Sequence, residues 1–137
     1  MLKKEDFSKP KIVWIELTDE SKFALSTDAI VPLNTVFFMV GKHIKYILAV
    51  INSLLIKWYY QQSLGVTSGV GTNRWLKYTV EQIPIPPIDN DEKWNNLIDN
   101  IINSNDKGGF EKQIDLVVYS QYGLTTEEVN YIERGGL

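Results

Sequence analysis

The stretch "IPIPPI" (83–88) places three prolines within six residues. Each proline removes a backbone donor and disfavours helical backbone in the residue before it, so neither an α-helix nor a central β-strand can run through the segment. Whatever sheet the chain builds has to end there. The chain therefore divides into residues 1–88, which must complete their own sheet, and a tail of 89–137 that packs on it. At 137 residues one domain with a real core is expected, and 44% apolar against 23% charged residues is a globular composition.

Upstream of the prolines, "KIVWIEL" (11–17) and "NTVFFMV" (34–40) are short β-branched and aromatic runs bounded by turn formers, with "KFALS" (22–26) a weaker strand between them. Both stronger runs are apolar at nearly every position, as when both faces of a strand are covered. From His43 to Gln62 the period changes. Ile44, Ile47, Leu48, Ile51, Leu54, Leu55, Trp58 and Tyr59 recur at spacings of three and four, which predicts one amphipathic helix over 43–62, stopped at Gly65. "RWLKYT" (74–79) reads as a further strand, with Arg74, Leu76 and Tyr78 on one face and Trp75 and Lys77 on the other.

Downstream, helical spacing returns through Trp94, Leu97, Ile98 and Ile101, with Asp89, Asn90 or Asp91 as N-cap. "KGG" (107–109) breaks the chain, and Phe110, Ile114, Val117 and Val118 then share one face of a helix closed by Gly123. "TTEEVNYIE" (125–133) opens on a capping box, Thr125 to Glu128. The fold class is α+β: a small mixed β-sheet packed on a long amphipathic helix, followed by C-terminal helices.

Charge is divided along the chain in the same way. Residues 1–80 hold ten Lys or Arg against six acids, whereas residues 81–137 hold four against eleven. From Ala29 to Val80 there is no Asp or Glu, while Lys42, His43, Lys45, Lys57, Arg74 and Lys77 all fall there. Core burial accounts for part of this, since neither sign belongs inside. It leaves unexplained why the remaining charges are all positive, which suits an anionic partner such as a phosphate backbone. The acidic tail from Trp94 to Arg134 is expected to lie away from such a partner.

With no cysteine and a single histidine, disulfides and thiolate or histidine-cluster metal sites are not expected. No apolar run approaches bilayer length and "MLKKEDFSKPK" has no signal-type stretch, so the chain reads as cytoplasmic. The glycine-rich stretch "SLGVTSGVGTNRWLKY" (63–78) fails both phosphate-binding tests. It lacks the Gly-Lys-Ser/Thr ending of a Walker loop, and in "GVGTNR" Arg74 stands where a dinucleotide turn needs its third glycine. No nucleophile stands beside a base, so no active site is visible. What remains is DNA-contact chemistry: glycines allow close approach, hydroxyls and backbone N–H groups bond phosphates, and Arg or Asn can fork onto base edges.

The order of "KPKIVW" (9–14), "NTVFFMVG" (34–41), "LAVINSLLIKWYY" (48–60), a glycine loop with an aromatic-basic strand, and "EQIPIPPI" (81–88) resembles the TaqI-like C-terminal specificity domain. The resemblance spans roughly residues 8 to 88, and "YSQYGLTTEEVNYIE" (119–133) resembles the helix-turn-helix ending that often follows in such enzymes. This family supplies the DNA target recognition domain of adenine-N6 methyltransferases and fused type II restriction–modification enzymes. It implies that the Asn52-Ser53 helix and the proline segment are scaffold, and that basic loops reach DNA.

The Asn-Pro-Pro-Tyr motif and glycine-rich S-adenosylmethionine site of such enzymes occur nowhere in these 137 residues. The chain is thus expected to recognise double-stranded DNA without catalysis, cofactor or metal. S-adenosylmethionine would sit in a catalytic domain of the same or a partner chain. The expected DNA contacts are Lys42, His43, Lys45, Thr67, Ser68, Thr72, Asn73, Arg74 and Lys77. Arg74 is assigned to a base edge or two phosphates and Lys77 to the backbone, with Trp75 and Tyr78 holding the strand. The alternatives are a docking module of a multisubunit complex, with the acidic helices as its contact surface, and a small hydrolase.

Overall fold

In the computed structural model, which describes residues 10–15, 17–18, 23–26, 36–64, 66–67, 73–104 and 107–135, the first strand run serves two sheets. β1 (Lys11–Ile15) is the middle strand of one, between β3 (Ala24–Ser26) and β4 (Val36–Met39). Its register pairs Ile12 with Leu25 on one side and with Met39 on the other. One residue further on, β2 (Leu17–Thr18) becomes an edge of a second sheet with β5 (Val66–Thr67) and β6 (Asn73–Arg74), in the order β2-β6-β5.

The α+β class stands, but every described pairing is antiparallel rather than mixed. A parallel pair needs a crossover of roughly a dozen residues or more, longer than the links joining β1 to β3 and β5 to β6. Ile12 and Trp14 are buried on one face of β1, and on the other Lys11 is buried and Val13 half-buried, so both faces of this strand are covered, the second less completely.

The helix expected over 43–62 is two helices, α1 (Ile44–Ile51) and α2 (Leu54–Ser63). The break sits at Asn52-Ser53. Ser53 has extended backbone (φ −70°, ψ 155°), and its Oγ accepts from the Ile56 N–H at 3.3 Å while donating to the Val50 carbonyl at 2.6 Å. A buried serine can thus cap one helix and satisfy the end of the previous one. Asn52 turns its amide to the chain before β3. Its Oδ1 accepts from the Phe23 N–H at 2.9 Å and its Nδ2 donates to the Phe23 carbonyl at 2.8 Å.

The tail forms α4 (Glu92–Ile102), α5 (Lys107–Gln121) and α6 (Thr126–Glu133), after a short α3 (Lys77–Val80). α4 lies on α1, α5 on α4 and α2, and α6 on α2. Trp94 packs its ring 4.8 Å from Tyr46, and Ile98, Ile114, Val118 and Ile132 join one core with Ile12, Trp14 and the buried faces of α1 and α2. The proline segment runs between these layers as a strap. Proline removes donors but leaves carbonyls, and two are taken up by tyrosines: Tyr46 donates to the Pro86 carbonyl and Tyr122 to the Pro84 carbonyl, both at 2.6 Å.

The capping box at Thr125 and Glu128 forms as expected, and Gly123 ends α5 with φ +67°. "KGG" does not break the chain; its residues are the first turn of α5. A helix pinned by burial further along tolerates glycine in its first turn. At the start of α4 the N-cap position is Asp91, yet the Asn90 Oδ1 accepts the Glu92 N–H at 2.8 Å. Gly65, expected to stop the single helix read over 43–62, lies outside the described residues.

Asp115 on α5 accepts the Leu54 N–H at 3.0 Å, tying α5 to the first turn of α2. Burial raises its pKa; the Leu54 bond pulls the other way, and Glu111 and Glu133 add to the rise. A carboxyl whose folded pKa is raised favours folding most when protonated, so this contribution declines as pH rises from the unfolded value through the folded one. Asp115→Asn keeps the acceptor and removes the charge. Its Tm is expected to exceed that of the native chain at pH 7, with the advantage vanishing below about pH 4. A variant less stable at pH 7 would show instead that the α2 N-terminus needs the negative charge.

Candidate nucleic-acid interface

The glycine-rich stretch is mounted on a hairpin. β5 and β6 pair antiparallel, Val66 with Arg74 and Thr67 with Asn73, and the other edge of β6 pairs Arg74 with Leu17 and Asn73 with Thr18. Residues 68–72, which join the two arms, lie outside the described residues, and Ser68 and Thr72 with them. Asn73 and Arg74 thus form a two-residue strand held on both edges. A strand paired on both sides presents its residues from a fixed backbone.

Directly after Arg74 the chain enters the core. Trp75 is 0% exposed, stacks on Tyr60 with ring centroids 3.8 Å apart at 16°, and meets Phe23 edge-on at 5.6 Å and 87°. Its carbonyl accepts the Trp14 Nε1–H at 2.8 Å. Contacts from β1, from the segment before β3 and from α2 therefore converge on the residue next to Arg74.

The strand expected over 74–79 stops at Arg74. Leu76 is the N-cap of α3, and Lys77–Val80 are helical. Among the described residues Arg74 is the last to pair with either edge strand. The Thr79 hydroxyl donates to the Leu76 carbonyl at 2.9 Å and hydrogen-bonds the Tyr60 hydroxyl, while Val80 and Ile83 are buried. This overturns the strand alternation assigned to Leu76, Lys77 and Tyr78. Trp75 does hold the root of the hairpin, but Tyr78 does not: it is 60% exposed, beside a Lys77 side chain that is 71% exposed. Tyr78 and Lys77 are thus exposed side by side, which the alternation concealed. The visible signal is Leu76, Thr79, Val80 and Ile83, spaced as one helix face.

The basic residues of the acid-free run have unequal surroundings. Lys42 is exposed in the turn before α1. His43 occupies the N-cap of α1 with φ +56°, a left-handed backbone uncommon outside glycine, and its Nδ1 lies 3.0 Å from Asp91 Oδ2. That bond holds the Asp91 carboxyl below its usual range. Lys45 Nζ lies 2.6 Å from Asp99 Oδ1. The acidic α4 thus meets the basic start of α1, and both charge blocks are partly neutralised by each other. Lys77 stands 4.0 Å from Glu81 with both side chains in solvent, a pairing of little energy.

The expected contact residues therefore fall in two groups. Thr67, Asn73 and Arg74 lie on the hairpin arms with Lys77 just beyond. Lys42, His43 and Lys45 lie at the start of α1, the latter two engaged by α4. Among the described residues no helix is long and apolar enough to cross a membrane. The family model of the TaqI-like C-terminal specificity domain matches residues 2–85, covering the hairpin, α1, α2 and α3. That is more than half of the chain, and the chain belongs to this family. A search of the curated proteins finds no match.

Proposed function

We propose that this specificity domain recognises a sequence in double-stranded DNA, as the non-catalytic target recognition part of a cytoplasmic adenine-N6 methyltransferase or fused restriction–modification enzyme. The observation that supports it is the braced hairpin: "SGVGT" followed by Asn73 and Arg74, with β2 on one edge and buried Trp75 at its root. Glycines let the backbone approach a groove, and the amide of Asn73 and the guanidinium of Arg74 suit bidentate contacts to base edges. Thr67, Ser68 and Thr72 supply hydroxyls for phosphate oxygens; Lys42 and Lys77 supply point charges. His43 and Lys45, engaged by Asp91 and Asp99, add to the local field more than to direct contact. Tyr78 joins Lys77 as a backbone contact.

The methyl donor belongs to the catalytic domain of the parent enzyme, because the sequence of this chain holds no Gly-x-Gly-x-x-Gly motif for it. Calorimetry of the chain with S-adenosylmethionine should be silent; micromolar binding would refute that assignment.

Titration of duplex DNA at several salt concentrations tests the reading. Affinity should fall steeply with salt, and Lys77→Ala should lower the slope of log affinity against log salt by about one unit while weakening all sequences evenly. A nearly flat dependence would favour the docking module, which would bind through apolar helix faces.

A further inference from the structure

We infer that Asn52 is a positioning residue for DNA recognition, fixing through Phe23 and Trp75 where the β5–β6 hairpin stands; this rests on the DNA-binding function proposed for that hairpin. Asn52 lies at the junction of α1 and α2, where its side chain serves neither helix. Its backbone N–H closes α1 onto the Leu48 carbonyl at 3.2 Å, and Ser53 supplies the cap of α2. Both ends of its amide go to one residue 29 positions away, accepting from the Phe23 N–H and donating to the Phe23 carbonyl. This is one rung of a β-ladder made by a side chain. It needs one donor and one acceptor at that reach, which Ala, Ser and ionised Asp do not provide.

What Asn52 grips is next to the hairpin root. Phe23 is buried, its ring 5.3 Å from Trp14 and edge-on to Trp75, the residue that follows Arg74. The path from Asn52 to Arg74 therefore consists of two hydrogen bonds, one aromatic edge contact and one peptide bond. Loosening Phe23 removes one of the three supports on Trp75, leaving the Tyr60 stack and the Trp14 hydrogen bond. Base readout demands placement within about half an ångström, whereas phosphate contacts by flexible side chains tolerate more. Losing the clamp should thus reduce discrimination between sequences more than affinity for DNA in general.

The test compares the 137-residue chain with Asn52→Ala and Asn52→Asp by amide hydrogen exchange and DNA binding, at temperatures where circular dichroism shows each variant folded. Asn52→Ala should speed exchange of Asn73–Leu76 about tenfold relative to α5, after correction for intrinsic rates. Asn52→Asp should do the same at pH 8 and regain protection near pH 4, where a protonated carboxyl can donate to the Phe23 carbonyl. If Asn52→Ala does not fold, this pH profile decides alone. With a duplex that the native chain selects from a random pool, Asn52→Ala should narrow the preference over a scrambled duplex about tenfold, the size of one misread base pair. Its affinity for the scrambled duplex should stay within about twofold. Unchanged exchange at 73–76 in folded Asn52→Ala, a pH-independent Asn52→Asp, or an undiminished preference would each overturn the inference. A native chain with no preference at all would sink the DNA function itself, while exchange would still decide whether Asn52 sets the hairpin.

Discussion

Trp75→Ala is expected to lower folding stability by about 3–5 kcal/mol, a large share of what a domain of this size possesses. The side chain is completely buried, stacked on Tyr60 and met edge-on by Phe23, so truncation leaves a cavity lined by two rings that cannot both collapse into it. The backbone bond from Trp14 survives, because it uses the Trp75 carbonyl. Trp75→Phe should cost less than half as much. It keeps an aromatic face for Tyr60 and deletes an indole N–H that has no partner among the described residues. Urea unfolding followed by circular dichroism gives both values; an alanine variant within about 1 kcal/mol of the native chain would mean that the hairpin root is not in the core.

Arg74→Ala should behave in the opposite manner, leaving stability intact and impairing recognition. The β6 ladder uses the backbone of residue 74, which alanine preserves, so Tm should move little. Loss of a guanidinium on a guanine edge should cost about 1–3 kcal/mol for the selected duplex and relax preference at one base pair. A fall in Tm with DNA binding intact would identify Arg74 as a structural ion pair and remove it from the interface.

The elements were legible where pattern and packing agreed. Three strands, the period change at His43, the three tail helices and the Thr125 capping box all follow from local spacing and composition. The break at Asn52-Ser53 was hidden because the apolar stripe continues across it, Ile51 to Leu54 and Leu55, while the interruption comes from hydroxyl and amide bonds to Val50 and Phe23. "RWLKY" misled for the converse reason. Alternation is a local pattern, but the turn into α3 is held by tertiary contacts: the Thr79 hydroxyl bonds Leu76 and Tyr60, and Val80 is buried. The charge division was legible as a difference along the chain, though not as a contact; that α4 brings Asp91 and Asp99 to His43 and Lys45 is a tertiary fact. The hairpin's place beside the aromatic core depended on Trp14, Phe23, Tyr60 and Trp75, four residues spread over 62 positions that no single window contains.

The central claim is that this chain reads a DNA sequence, and the most direct measurement is selection from a random duplex pool followed by affinities for the enriched and scrambled duplexes at one salt concentration. The account predicts a single enriched motif bound on the order of a thousandfold more tightly than its scrambled counterpart, with Arg74→Ala erasing the preference at one position of that motif. A pool that does not converge, or equal affinities for the two duplexes, would contradict it.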